Sequence, residues 1–149
     1  MLIGVEAYNN QAFDKQFFNS DNYKIIAQDP TIQQEWGRRN IKEVAQTFLD
    51  NGISDQSVIR SAMQNGVNGD EYKSISSIGV TDVKHYRKVR DKNRHKGLSA
   101  SQIAARMQIA KNLPSNLYND KDGFIRYAKR FGIEAADAEK LFSEIDDFI

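Results

Sequence analysis

Residues 84–96, KHYRKVRDKNRHK, place Lys84, Arg87, Lys88, Arg90, Lys92, Arg94 and Lys96 against the single acid Asp91. The net charge there is +6 before His85 or His95 is counted, in a chain whose total is only +1. Cations this dense neutralise phosphates, and sequence-independent affinity for nucleic acid comes largely from that neutralisation. Tyr86 lies inside the run, where an aromatic ring can stack on a base provided it is not buried. The opposite charge gathers at the other end of the chain. Glu134, Asp137, Glu139, Glu144, Asp146 and Asp147, offset by Lys140, give residues 134–149 a net −5. Such asymmetry says more about partners than a near-neutral total does.

Two kinds of partner fit. One is a phosphate backbone, held by the seven cations with little reading of base sequence. The other is an acidic protein surface, which includes self-assembly into a homo-oligomer or a larger complex. In that case Tyr86, Asp137, Glu139, Glu144, Asp146 and Asp147 join the contact, and the acidic tail of this chain or of a neighbouring copy is itself a partner for the basic helix. A plainer reading stands beside both: cations near a helix C-terminus favour the helix dipole, and a charged run is often a solvated face.

Other chemistry is poorly supported. The chain has no cysteine, which excludes disulfides, cysteine zinc sites and thiol nucleophiles. Asp120-Lys121-Asp122-Gly123-Phe124-Ile125 resembles the middle of an EF-hand loop, but its first ligand would then be Tyr118 and its last Lys129. The lysine removes the case for calcium, and Asp120 or Asp122 is better read as a helix cap. His85 and His95, ten residues apart on one helix, would point about 80° from each other and form no helical zinc pair. No phosphate-cradling loop, nucleophile elbow or HExxH run occurs. The expectation is a non-enzymatic protein without metal or cofactor. No stretch approaches the ~20 apolar residues of a membrane span, and the N-terminus lacks a signal-peptide layout. The expected location is therefore the cytoplasm, or a particle assembled there.

The elements that must carry the basic run are helices. Gly-aliphatic-polar recurs at Gly52-Ile53-Ser54, Gly66-Val67-Asn68, Gly79-Val80-Thr81, Gly97-Leu98-Ser99 and Gly132-Ile133-Glu134. A glycine just past a helix adopts the left-handed conformation freely, the aliphatic residue packs back on the last turn, and the polar residue caps the next helix. Asp29-Pro30 reads as a cap followed by proline at the first helical position. Ser99 and Gln102 form a capping box flanked by the Leu98–Ile103 staple. The helical stripes run through Ile32, Trp36, Ile41, Val44, Ala45, Phe48 and Leu49, with a break at Gly37. They continue through Val58, Ile59, Ala62 and Met63; Val83, Tyr86 and Val89; Ile103, Ala104 and Met107; Phe124, Ile125, Ala128 and Phe131; and Ala138, Leu141, Phe142, Ile145 and Phe148. Strand alternation is not sustained, residues 1–5 being the nearest to it.

The expected fold is all-α: a compact bundle of about six to eight short helices in one domain over 1–149, which suits a chain of this length. Residues 1–28, with Tyr8, Phe13, Phe17, Phe18 and Tyr23, form an aromatic arm packed on that domain or on a partner. Thr81 and Gly97 bound the basic helix, 82–96. A DNA-reading helix-turn-helix needs a small residue where its helices cross. Phe48 is too large at the first corner, and Gln108 and Pro114 spoil the corner after Ala104. Ala128, Gly132, Ile133, Ala138 and Leu141 match best, but the second helix there is acidic and repels phosphate. The favoured role is a nucleic-acid-associated accessory or regulatory protein. The alternative is a structural or assembly component of a virion or another multi-subunit complex.

Overall fold

The computed structural model describes Phe17 and residues 20–149. Tyr8, Phe13 and Phe18 of the expected arm, and the apolar opening at residues 1–5, lie outside the described residues. The fold is all-helical, as the periodicity predicts, with no strand among the described residues. Nine α-helices are present there: α1 Asp21–Ala27, α2 Pro30–Trp36, α3 Ile41–Asp50, α4 Gln56–Gln64, α5 Gly69–Ser77, α6 Val83–Lys92, α7 Ala100–Asn112, α8 Lys121–Lys129 and α9 Ala135–Ser143. Short 3-10 turns follow α6 (Arg94–Lys96), α7 (Ser115–Leu117) and α9 (Ile145–Phe148). The count exceeds the expected six to eight. Part of the arm is itself helical (α1), and Gly37, at φ 72°, separates α2 from α3.

The corners explain why these helices stop where they do. At Gly52, Gly66, Gly79 and Gly132, all with positive φ, the glycine N–H donates to the carbonyl three residues back. The next aliphatic N–H reaches five residues back: Ile53 to Phe48 at 2.9 Å, Val67 to Ala62 at 2.9 Å, Val80 to Ile75 at 3.0 Å and Ile133 to Ala128 at 3.3 Å. This paired closure satisfies carbonyls that the helix end leaves open. The preceding asparagines of the two Asn-Gly phrases complete it, Asn51 donating to the Thr47 carbonyl and Asn65 to that of Ser61. The caps at two starts differ from expectation. Asp55 and Asp82, rather than Ser54 and Thr81, accept from the first-turn amides, because a carboxylate is the stronger acceptor at the positive end of a helix. The Ser99–Gln102 box and the Asp120 cap, accepting from Gly123 N–H, are present.

The helices cluster into two compact units, one running through Lys73 and the other from Ser74. In the first, α2 packs on α3 and α4, and the core holds Ile26, Ile32, Ile41, Phe48, Ile59 and Met63. Gly69, which opens α5, is pressed against the Thr47–Phe48 backbone so closely that any Cβ would overlap it, and its N–H donates to Thr47 Oγ1. Asp29 ties this unit together. Its Oδ1 caps α2 through Thr31 and Ile32, and its Oδ2 accepts from Arg60 Nε at 2.9 Å and Gln64 Nε2 at 2.8 Å on α4. Burial disfavours the charged carboxylate, but these donors outweigh it and hold its pKa below the ordinary range.

In the second unit α8 packs along α9, burying Phe124, Ala128, Ile133, Ala138 and Leu141 at the corner the sequence singled out. α6 lies against α7, and the 3-10 turn Ile145–Phe148 rests on both.

A lowered carboxyl pKa contributes stability that is fully present above the unfolded value of about 3.9 and is lost as pH falls through the folded value. Asp29→Asn keeps the capping oxygen but sets an amide N–H₂ against Arg60 and Gln64. We expect it to cost about 1–2 kcal/mol at pH 7, with the gap from wild type closing below pH 4. Urea unfolding followed by Trp36, the only tryptophan in the chain, measures this within the first unit.

Candidate nucleic-acid interface

α6 begins where Asp82 Oδ1 accepts from His85 N–H at 3.0 Å, and its inner face is fixed by Val83, Tyr86 and Val89, all buried. Tyr86 is 0% exposed, so the condition under which its ring could stack on a base is not met. The expected helix over 82–96 is also not continuous. It ends at Lys92, Asn93 turns the chain, and Arg94–Lys96 form a 3-10 turn that closes at Gly97, φ 68°.

The seven cations fall into three environments. Arg87, Arg90 and Arg94 surround Asp91, at 3.5, 3.2 and 3.4 Å. Burial disfavours the Asp91 carboxylate, but Arg90, Arg94 and Arg87 outweigh it and keep its pKa low. Arg90 also lies 5.9 Å from the centre of the Tyr86 ring.

Lys96 is drawn inward, its side chain 11% exposed, with Nζ 2.9 Å from Asp147 Oδ2 and 3.1 Å from Glu144 Oε2. The Phe148 ring centre is 5.1 Å from the same ammonium. Asn93 Nδ2 donates to the carbonyls of Val89 (2.7 Å) and Asp147 (2.9 Å), and Lys92 Nζ lies 3.5 Å from the Asp146 carbonyl. The acidic tail and the basic segment are thus clasped within one chain. Burial alone would lower the Lys96 pKa, but its hydrogen bonds to the Asp147 and Glu144 carboxylates raise it overall, while Lys96 lowers that of Asp147.

The third environment is solvent. Lys84, Lys88 and Lys92 are exposed one turn apart, and Lys84 and Lys88 pair with no acid among the described residues. With ~100° per residue, Lys84, His85, Lys88 and Lys92 span an arc of about 100° on the outer face.

The remaining acids are dispersed. Glu139 pairs with Lys121 across α8 and α9, Asp146 is exposed, and Asp137 borders a cavity of about 130 Å³ with Arg106, Lys140 and Glu144. Arg106 was not among the sequence candidates. It is 8% exposed, donates Nη1 to the Gln102 carbonyl at 3.1 Å, and has its pKa lowered by burial despite the nearby charges of Asp137 and Glu144. Its place on the Ile103–Met107–Ala110 stripe is the signal that marks it.

A larger cavity, about 480 Å³, opens beside the start of α6, bordered by His85, Met107, Tyr118 and Phe148 among others. No group of three or more acids or histidines among the described residues is placed to hold a metal ion, and no helix there is long and apolar enough to cross a membrane. Compared with family models, curated proteins and solved structures, the chain matches none.

The clasp contributes fully between the ordinary carboxylate range and the ordinary lysine value near 10.4. It is lost as pH falls through the lowered Asp147 value or rises through the raised Lys96 value. Lys96→Met should release the tail at neutral pH, raising amide hydrogen exchange over 144–149 at least severalfold while α8 and α9 stay protected. Hydrogen-exchange mass spectrometry reads this directly. Unchanged tail protection would mean that Phe148 burial alone holds the turn.

Proposed function

We propose that this is a non-enzymatic, nucleic-acid-associated accessory or regulatory protein, which holds phosphates along the outer face of α6. The observation that carries the reading is the sorting of the cations. Lys96 is paired and the three arginines gather around the single carboxylate of Asp91, whereas Lys84, Lys88 and Lys92 form an exposed row about 6 Å from turn to turn. A row of exposed ammonium groups, of which only Lys92 lies near the acidic tail, attracts a polyanion without reading its sequence. The assembly alternative draws less support, because three of the five acids it would offer a neighbouring copy, Glu139, Glu144 and Asp147, are already engaged within the chain.

Three lysines, rather than seven cations, set the expected salt dependence. Log affinity against log salt should have a slope near −2.7 on duplex DNA and near −2 on a single strand, from about −0.9 and −0.7 per neutralised phosphate. Fluorescence anisotropy across a salt series measures it. The triple variant Lys84→Gln, Lys88→Gln, Lys92→Gln should lose binding with helicity unchanged, whereas Lys96→Met should leave the slope as it is. No binding even at low salt would reject the reading.

A further inference from the structure

We propose that the 480 Å³ cavity at the start of α6 receives one unstacked base, so that the nucleic acid held along the lysine row is single-stranded; this rests on the phosphate reading above. The cavity lies within the size range of small-molecule sites, about 300–1,000 Å³. Its apolar wall is made by Val80, Met107, Ala110 and Phe148, each at most 7% exposed. At its border Tyr118 is 47% exposed, which leaves its ring available for a flat partner to stack on.

The polar groups around this wall suit the edge of a base. Lys111 and His85 supply donors. Asp82, whose Oδ1 already caps α6, keeps Oδ2 as an acceptor, and Gln108, whose Nε2 donates to the Ile78 carbonyl at 3.1 Å, keeps its side-chain carbonyl. Donors and acceptors of both kinds favour bases as a class rather than one base.

Position links the cavity to the cations. His85 borders it and follows Lys84 directly, while Lys88 lies three residues on, where helix neighbours have Cβ atoms about 5–6 Å apart. A strand whose phosphates follow Lys84, Lys88 and Lys92 therefore passes the mouth of the cavity, and an unpaired base turns in without breaking a pair. A duplex must first unstack and unpair a base.

The test is anisotropy at low salt with three labelled probes of equal length: a mixed-sequence single strand, the same sugar-phosphate backbone with abasic sites throughout, and a duplex. The base-bearing strand is expected to bind at least tenfold more tightly than the other two. Tyr118→Ala, a substitution at an exposed ring, should remove about tenfold from that strand and leave the abasic probe unchanged. Equal binding of the base-bearing and abasic strands, or tighter binding of the duplex, overturns the base site while the phosphate reading stands. Binding of no probe overturns both.

Discussion

An ammonium group left mostly out of water must be paired, and in the second unit that requirement falls on Lys96. Its two carboxylate partners come from Glu144 and Asp147, so satisfying one buried charge fixes the last turn of the chain. Fixing that turn seats Phe148 at 2% exposure, and Phe148 in turn walls the cavity beside α6. Asn93 strengthens the arrangement by donating to the carbonyl of Asp147 as well as to its own helix. One lysine and its two carboxylates thus shape the tail, the cavity and the set of cations left exposed.

The first unit solves a similar problem with a different residue. Asp29 is buried because it caps α2, and a buried carboxylate needs more than two backbone amides. Arg60 and Gln64 supply the rest from α4, so a local capping requirement becomes a long-range tie. In both units a charge that enters the interior dictates which distant segments meet.

The helices and corners were legible in the sequence because their determinants are local. Glycine at positive φ, asparagine one place before it, and a carboxylate at the next start all act within six residues. The error at Ser54 and Thr81 was one position, and it followed from ranking hydroxyls over the aspartate beside them. The candidate site was less legible. A charge run does not say which lysine turns inward, since Asp147, the acid that draws Lys96 in, lies 51 residues away. Sequence separation likewise hides the Asp29–Arg60 tie, 31 residues apart, and the cavity, whose walls come from four separate stretches. Tyr86 belonged to the apolar seam from the start, and its spacing with Val83 and Val89 was the better guide to its burial.

The helix dipole offers a competing account of the basic run, and position along α6 limits how far it goes. Lys92, Arg94 and Lys96 lie at or beyond the C-terminal end, where a cation is favoured by about 0.3–1 kcal/mol. Lys84 is in the first turn, where the same dipole opposes it, and the acid two places before it, Asp82, turns Oδ1 to the helix amides. Lys84, Lys88 and Lys92 are also like charges four residues apart, each pair costing a few tenths of a kcal/mol. An isolated helix would be more stable with acids at 84 or 88. Dipole and packing therefore explain the C-terminal cations and leave the Lys84–Lys88 pair unexplained as a stabilising feature. The phosphate-bearing partner proposed above would offset that cost, which is why the N-terminal half of α6, where the cavity also opens, is the part of the run that best tests the proposal.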